Sequence, residues 1–113
     1  MRRMNYNPLN NVYASGEYNH NQKNFVLDKN LEPNHVYYLK VLNGSVSYGP
    51  VILDFRNQED FTNSIIIIND VSDEPYIYRI RCEVGTNEIF IYSNTNKTLE
   101  ASEEYLIYVY QLM

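Results

Sequence analysis

The sequence contains one cysteine, no tryptophan and only four glycines in 113 residues. A single thiol, Cys82, excludes a disulfide within the chain, and four scattered glycines form no phosphate-binding loop. Alanine is scarce, which argues against a helix bundle. No apolar run approaches the ~18 residues of a membrane-spanning helix. The N-terminus shows no signal peptide, so we expect synthesis in a cytoplasm.

Basic residues are also few: the chain has 9 Lys and Arg against 14 Asp and Glu, which gives a net charge of −5. Nucleic-acid-binding domains usually carry a basic patch, and only the N-terminal "MRR" is locally basic, so no nucleic-acid partner is expected. The two histidines lack metal-ligand spacing. Asn69, Asp70, Asp73 and Glu74 lack the calcium-loop pattern and are interpreted as turn residues. We therefore expect no cofactor.

Tyrosine, isoleucine, valine and asparagine dominate instead, and they favour strands separated by turns. Short apolar segments recur every 8–12 residues, which is typical of antiparallel folds. The sequence predicts an all-β chain, an antiparallel β-sandwich or jelly roll of seven to eight strands. Residues 1–11 are predicted to form an extended arm, and residues 12–113 a single sandwich domain. The predicted strands are 12–18, 25–28, 35–42, 46–55, 63–69, 75–84, 88–93 and 105–113.

Three local patterns refine this prediction. Alternation in segment 75–84 places Cys82 on an apolar face, which indicates a buried, inert thiol. Asn43-Gly44-Ser45 predicts a hairpin, since Asn-Gly accepts positive φ at both turn positions. Gly49-Pro50 predicts a bulge or a sheet edge, because proline cannot donate to a strand ladder.

The segment "NSIIIIN" does not alternate, so both faces of its strand are apolar. Either Ile65 and Ile67 or Ile66 and Ile68 must point away from the core. Three explanations stay open: ordinary surface exposure, coverage by the N-terminal arm or loops, and coverage by another protein chain. Tyrosines on other two-faced strands extend the candidate interface. Its residues are Ile65, Ile66, Ile67, Ile68, Tyr38, Tyr92, Tyr108 and Tyr110.

The segments "HVYYLKVLNGS", "EIFIYS" and "YLIYVYQLM" resemble small β-sandwich domains of bacteriophage virion proteins. The resemblance is to fibre or receptor-binding tips and to head-decoration proteins, in which Tyr/Ile/Val strands alternate with Asn/Gly turns. It implies a subunit that assembles on a capsid or tail, often as a trimer, with host-surface glycans as ligands. An N-terminal arm favours a free-standing virion subunit over a tip that continues from a shaft.

We therefore expect a non-enzymatic structural subunit of a phage particle, a homo-oligomer or a partner of capsid or tail proteins. One alternative is a module that binds a carbohydrate or a receptor. A small cytoplasmic interaction protein is another. Aromatic rings beside Asn and Asp suit a shallow sugar site. The candidate rings for it are Tyr37, Tyr38, Tyr48, Tyr76, Tyr78 and Tyr92.

Overall fold

Eight β-strands make up most of the structure, a computed structural model that describes residues 11–56, 61–68, 76–93, 99 and 104–113. The described residues include no α-helix, and none of them belongs to a helix long and apolar enough to span a membrane. The strands are β1 (Ala14–Asn19), β2 (Asn24–Leu27), β3 (Val36–Asn43), β4 (Val46–Asp54), β5 (Phe61–Ile68), β6 (Tyr76–Glu83), β7 (Glu88–Tyr92) and β8 (Leu106–Gln111).

All eight strands join one antiparallel sheet in the order β4-β3-β8-β1-β2-β7-β6-β5. The two edge strands, β4 and β5, lie side by side along a line that we call the seam. Across it, the Ser64 hydroxyl donates a 2.9 Å hydrogen bond to the Ile52 carbonyl oxygen. The sheet is therefore nearly closed and has a barrel-like form.

The predicted all-β, antiparallel architecture and its strand count are confirmed. Backbone pairing continues from β4 to β5 through every strand, so the division into two sheets that a sandwich requires is not confirmed. The predicted arm lies outside the described residues except for Asn11. The assignment of residues 12–113 to one domain stays a prediction.

One face of each strand lines the interior, as period-two alternation requires. In β3, Tyr37, Leu39 and Val41 are fully buried, and in β8 Ile107 and Val109 are. These residues belong to one apolar cluster to which all eight strands contribute. The interior is therefore a single packed core.

The hairpin between β3 and β4 forms where the sequence predicts it, with a different turn. Asn43 pairs with Val46, which leaves Gly44 and Ser45 as the two loop residues. Only Gly44 has a positive φ, +59°, which is the pattern of a type II′ turn. The prediction of positive φ at both Asn43 and Gly44 is wrong, because Asn43 remains within the strand.

The edge strand β4 contains the predicted bulge. Gly49 and Pro50 lie opposite the single residue Lys40 of β3. Proline is tolerated at such a place because its nitrogen has no hydrogen to donate to a neighbouring strand. Both features that Gly49-Pro50 predicts, a bulge and a sheet edge, are therefore present in β4.

Candidate protein interface

The four consecutive isoleucines of β5 divide between the two faces of the sheet. Ile66 and Ile68 are 3% and 1% exposed, whereas Ile65 and Ile67 are 56% and 54% exposed. Register with β6 decides which pair is inside, because Ile66 lies opposite the buried Tyr78. The prediction that one alternate pair points outward is confirmed. Ile66 and Ile68 are core residues, and only the other pair is available to an interface.

Exposed isoleucine is concentrated in one place. Of ten isoleucines in the chain, six are buried and four are about half exposed. Ile52 of β4 and Ile65 of β5 flank the seam, since Ser64 bonds to the carbonyl of Ile52. Ile67 pairs directly with Ile77 of β6. We call these four residues, Ile52, Ile65, Ile67 and Ile77, the isoleucine patch.

The isoleucine patch retains a substantial driving force for association. Full burial of an isoleucine contributes ~1.5–3 kcal/mol relative to exposure. Because each of the four is about half exposed, covering them would contribute about 4 kcal/mol before the costs of association are subtracted. Single exposed apolar residues are ordinary on protein surfaces, whereas contiguous ones mark sites of interaction.

The outward tyrosines of β3 and β8 extend the apolar surface on the other side of the seam. Tyr38 is paired with Ile52 on one side and with Tyr110 on the other. The Tyr38 and Tyr110 rings stack, with centroids 4.7 Å apart and an interplanar angle of 12°. Burial raises the pKa of Tyr110. Tyr108 is half-buried on the same outer face, opposite Lys40.

Outward side chains of β5, β6 and β7 form a similar line on the other side of the seam. Ile65 is paired with Arg79 of β6, and Arg79 is paired with Tyr92 of β7, which is 39% exposed. Register pairs therefore form one line of three outward residues on each side of the seam. The hydrogen bond from Ser64 to Ile52 brings the two lines together at the seam, and we call the six residues the seam row. In order, the seam row is Tyr92, Arg79, Ile65, Ile52, Tyr38 and Tyr110. It contains four of the predicted interface residues, Tyr92, Ile65, Tyr38 and Tyr110, and adds Arg79 and Ile52, whose role only the strand order reveals.

The carboxylate nearest to the seam row on β4 is already paired. Asp54, two residues from Ile52, accepts hydrogen bonds from the Arg56 side chain at 2.8 and 3.0 Å. These hydrogen bonds lower the pKa of Asp54 to about 2. The charge of Asp54 is therefore compensated, and Arg79 is the only charged residue within the seam row.

Cys82 lies in the core as predicted, with none of its surface exposed. Its sulfur is 3.6 Å from the Glu83 carbonyl oxygen. Burial raises the pKa of the Cys82 thiol to about 12. The thiol is therefore protonated at neutral pH, and protonated thiols are poor nucleophiles.

The candidate sugar-binding rings are scattered. Tyr37 and Tyr78 are buried and cannot meet a ligand on the surface. Tyr38, Tyr48 and Tyr92 are partly exposed on three different strands, and the side chain of Tyr76 lies outside the described residues. The structure does not gather the five described rings into one groove.

A separate cavity of about 220 Å³ opens between β1 and β8, and no pattern in the sequence indicates it. Its wall combines two carboxylates, an imidazole and two phenol rings, from Glu17, Tyr18, His20, Glu104, Tyr105 and Leu106. Within the described ranges, no three His, Cys, Asp or Glu side chains come close enough together to hold a metal ion.

Comparisons of the chain with models of protein families, with curated proteins and with solved structures find no match. The arguments about function therefore rest on the geometry of the outer face.

Proposed function

We propose that this chain is a non-enzymatic structural subunit that acts by docking on other protein chains through the isoleucine patch and the seam row. A single observation carries the proposal: every exposed isoleucine of the chain lies on β4, β5 or β6, within two strands of the seam. Random exposure would distribute these residues over the sheet. The adjoining tyrosines and Arg79 belong to the residue types that are enriched in protein interfaces.

The proposed setting is a viral particle, and it rests on the resemblance of the strands to phage virion domains. Short Tyr/Ile/Val strands and tight Asn/Gly turns, as at Gly44, suit a subunit whose surface is used for packing. In that setting the chain is made in the host cytoplasm and joins capsid or tail proteins, either as single copies or as a homo-oligomer.

Binding of a surface glycan is the second candidate, and the stacked pair of Tyr38 and Tyr110 favours it. Flat aromatic faces beside polar groups suit sugar rings. Stacking, however, covers one face of each ring already. A glycan site would depend on these two tyrosines and not on Ile65 and Ile67, which lie across the seam.

Assembly in the native setting tests the proposal. Virus particles are purified from cells that produce either the wild-type chain or the double variant Ile65→Ser and Ile67→Ser, and the chain is quantified in the particles. We expect the variant to be depleted at least ~tenfold, because two half-exposed isoleucines contribute about 2 kcal/mol to the contact. Val26→Ser is the matched control, since Val26 is 44% exposed on β2, far from the seam.

The control should enter the particles as the wild type does. If the wild-type chain is absent from the particles, the virion assignment is wrong. If Tyr38→Ser abolishes incorporation while the isoleucine variant is incorporated normally, the isoleucine patch is not the docking surface.

A further inference from the structure

We infer that the partner on this surface is a second copy of the chain, related by a two-fold axis that runs along the strand direction at the seam. The inference rests on the proposed docking function and specifies its partner. In this dimer Ile65 of one copy faces Ile52 of the second copy, and Ile52 faces Ile65.

The seam row is self-complementary about this axis. Arg79 lies on β6, the second strand from the seam on one side. Tyr38 lies on β3, the second strand from the seam on the other side. The two-fold axis therefore places each guanidinium over a tyrosine of the second copy, an arrangement favoured by cation–π attraction. One step further out, Tyr92 faces Tyr110 of the second copy. A closed two-fold interface requires such self-matching of one surface.

Charge selects this axis over the perpendicular one. A two-fold axis along the seam row would place Arg79 against Arg79 of the second copy, and like charges in contact disfavour association. The axis along the strands separates the two arginines by about three strand spacings, roughly 14 Å, which exceeds the ~8 Å screening length at physiological salt.

The lengths of the seam-row side chains match the curvature of the outer surface of the sheet. The outer surface of a nearly closed sheet recedes on both sides of a contact line. The shorter side chains, Ile65 and Ile52, stand at the seam, and the longer Arg79, Tyr92, Tyr38 and Tyr110 stand further out, where the gap between two convex surfaces widens. Along the sheet the six strands span about 24 Å, close to the roughly 28 Å width of an interface that buries ~800 Å² per partner.

The topology favours a second copy over the chain's own N-terminal segment. Segment 1–10 leads into β1, which is separated from the seam by three strands on the β4 side and by four on the β5 side. The first described residue, Asn11, lies ahead of β1, on the far side of the sheet from the isoleucine patch.

Disulfide trapping between single-cysteine variants tests the two-fold arrangement. Ile65→Cys and Ile52→Cys are purified separately, mixed, and equilibrated in a glutathione redox buffer, with the buried Cys82 left in place. Disulfides form only between residues whose Cβ atoms approach to about 3.5–4.5 Å. We expect the mixture to form an intermolecular disulfide in at least ~tenfold higher yield than either variant alone. In the two-fold dimer position 65 of one copy faces position 52 of the second copy, whereas two copies of the same position are offset by about one strand spacing. Val26→Cys alone gives the background yield of intermolecular disulfide.

Sedimentation of the purified wild type supplies the second measurement. We expect a species of twice 13.4 kDa at high micromolar concentration, and a dissociation constant at least ~tenfold higher for Ile65→Ser, since each substitution acts twice in a two-fold dimer. A monomer at high micromolar concentration, or a trimer, overturns the inference. So does a yield from either variant alone that equals that of the mixture. If a monomeric chain is incorporated into virus particles, the proposed docking function is supported and only the inference of a second copy as partner is wrong.

Discussion

Burial in the core changes the chemistry of Cys82. Its neighbours Ile80 and Tyr78 on the same face are also buried, and desolvation raises the pKa of the thiol to about 12. Because the thiolate is the reactive form, we expect an aromatic disulfide reagent to label the native protein at neutral pH far more slowly than the urea-unfolded protein. Labelling of the native protein within seconds would contradict the buried position.

Burial of the Cys82 thiol and the Tyr37 hydroxyl predicts that the free energy of unfolding falls at alkaline pH. The pKa of Cys82 rises from 9.0 to about 12, and that of Tyr37 from 10.0 to about 12, chiefly through desolvation. The folded chain holds both protons more tightly than the unfolded chain. Their contribution is therefore complete below about pH 9 and is lost as the pH rises toward about 12.

The thiol's share of this loss can be measured with Cys82→Ala. At about pH 10, one unit above the thiol pKa of the unfolded chain, the wild type should have lost about 1.4 kcal/mol through Cys82. The difference in unfolding free energy between wild type and variant, from urea titrations, should shrink by that amount between neutral pH and about pH 10. A constant difference would show that Cys82 is not desolvated in the folded chain.

Gly16 of β1 lies so close to the backbone of Val26 in β2 that a Cβ atom does not fit between them. Glycine in a strand interior ordinarily weakens the strand, yet β1 continues through Gly16, and a Cβ atom there would overlap the Val26 carbonyl oxygen. We expect Gly16→Ala to lower the unfolding free energy by ~2–4 kcal/mol or to prevent folding. Gly85→Ala is the control, since a Cβ there meets no atom within 4 Å and only the φ of +79° opposes it, at ~1–2 kcal/mol. Equal losses for the two variants would contradict the close approach.

At the scale of single strands, most of the structure could be predicted from sequence. Alternation in β6 identified the buried face that carries Tyr78, Ile80 and Cys82, because side-chain period is a local property. In β5 the sequence could not select the inward isoleucines, since both faces are chemically alike. The choice depends on register with β6, where Ile66 lies opposite Tyr78, and register is set by pairing between separate segments.

The two faces of β5 should therefore respond differently to the same substitution. We expect Ile66→Ser with Ile68→Ser to cost at least ~5 kcal/mol, because buried isoleucines lose transfer energy and leave cavities. That loss is comparable with the whole stability of many domains. Ile65→Ser with Ile67→Ser should leave the unfolding free energy of the monomer within ~1 kcal/mol of the wild type. Urea unfolding at low protein concentration, followed by far-ultraviolet circular dichroism, measures both.

Equal destabilisation by the two double variants would contradict the assignment of faces. A folded inner variant would do so as well, since Ile66 and Ile68 would then not be core residues.

At the scale of the whole molecule, strand order was the feature that the sequence did not reveal. Local patterns identify strands, whereas the order β4-β3-β8-β1-β2-β7-β6-β5 joins segments far apart in the chain. That order closes the sheet at β4 and β5 and thereby brings Ile52 beside Ile65. The seam row was invisible in the sequence for the same reason, because Arg79, Ile65, Ile52 and Tyr38 come from four strands.

In the proposed dimer the outer face around the seam lies against a second copy of the chain. Methyl nuclear magnetic resonance of isoleucine-labelled protein tests it most directly, because the ten isoleucines divide into six buried and four exposed residues. As concentration rises from low to high micromolar, we predict that the δ1-methyl signals of Ile52, Ile65, Ile67 and Ile77 shift or broaden together while those of the six buried residues keep their positions. Signals of all ten that do not change with concentration would contradict the claim.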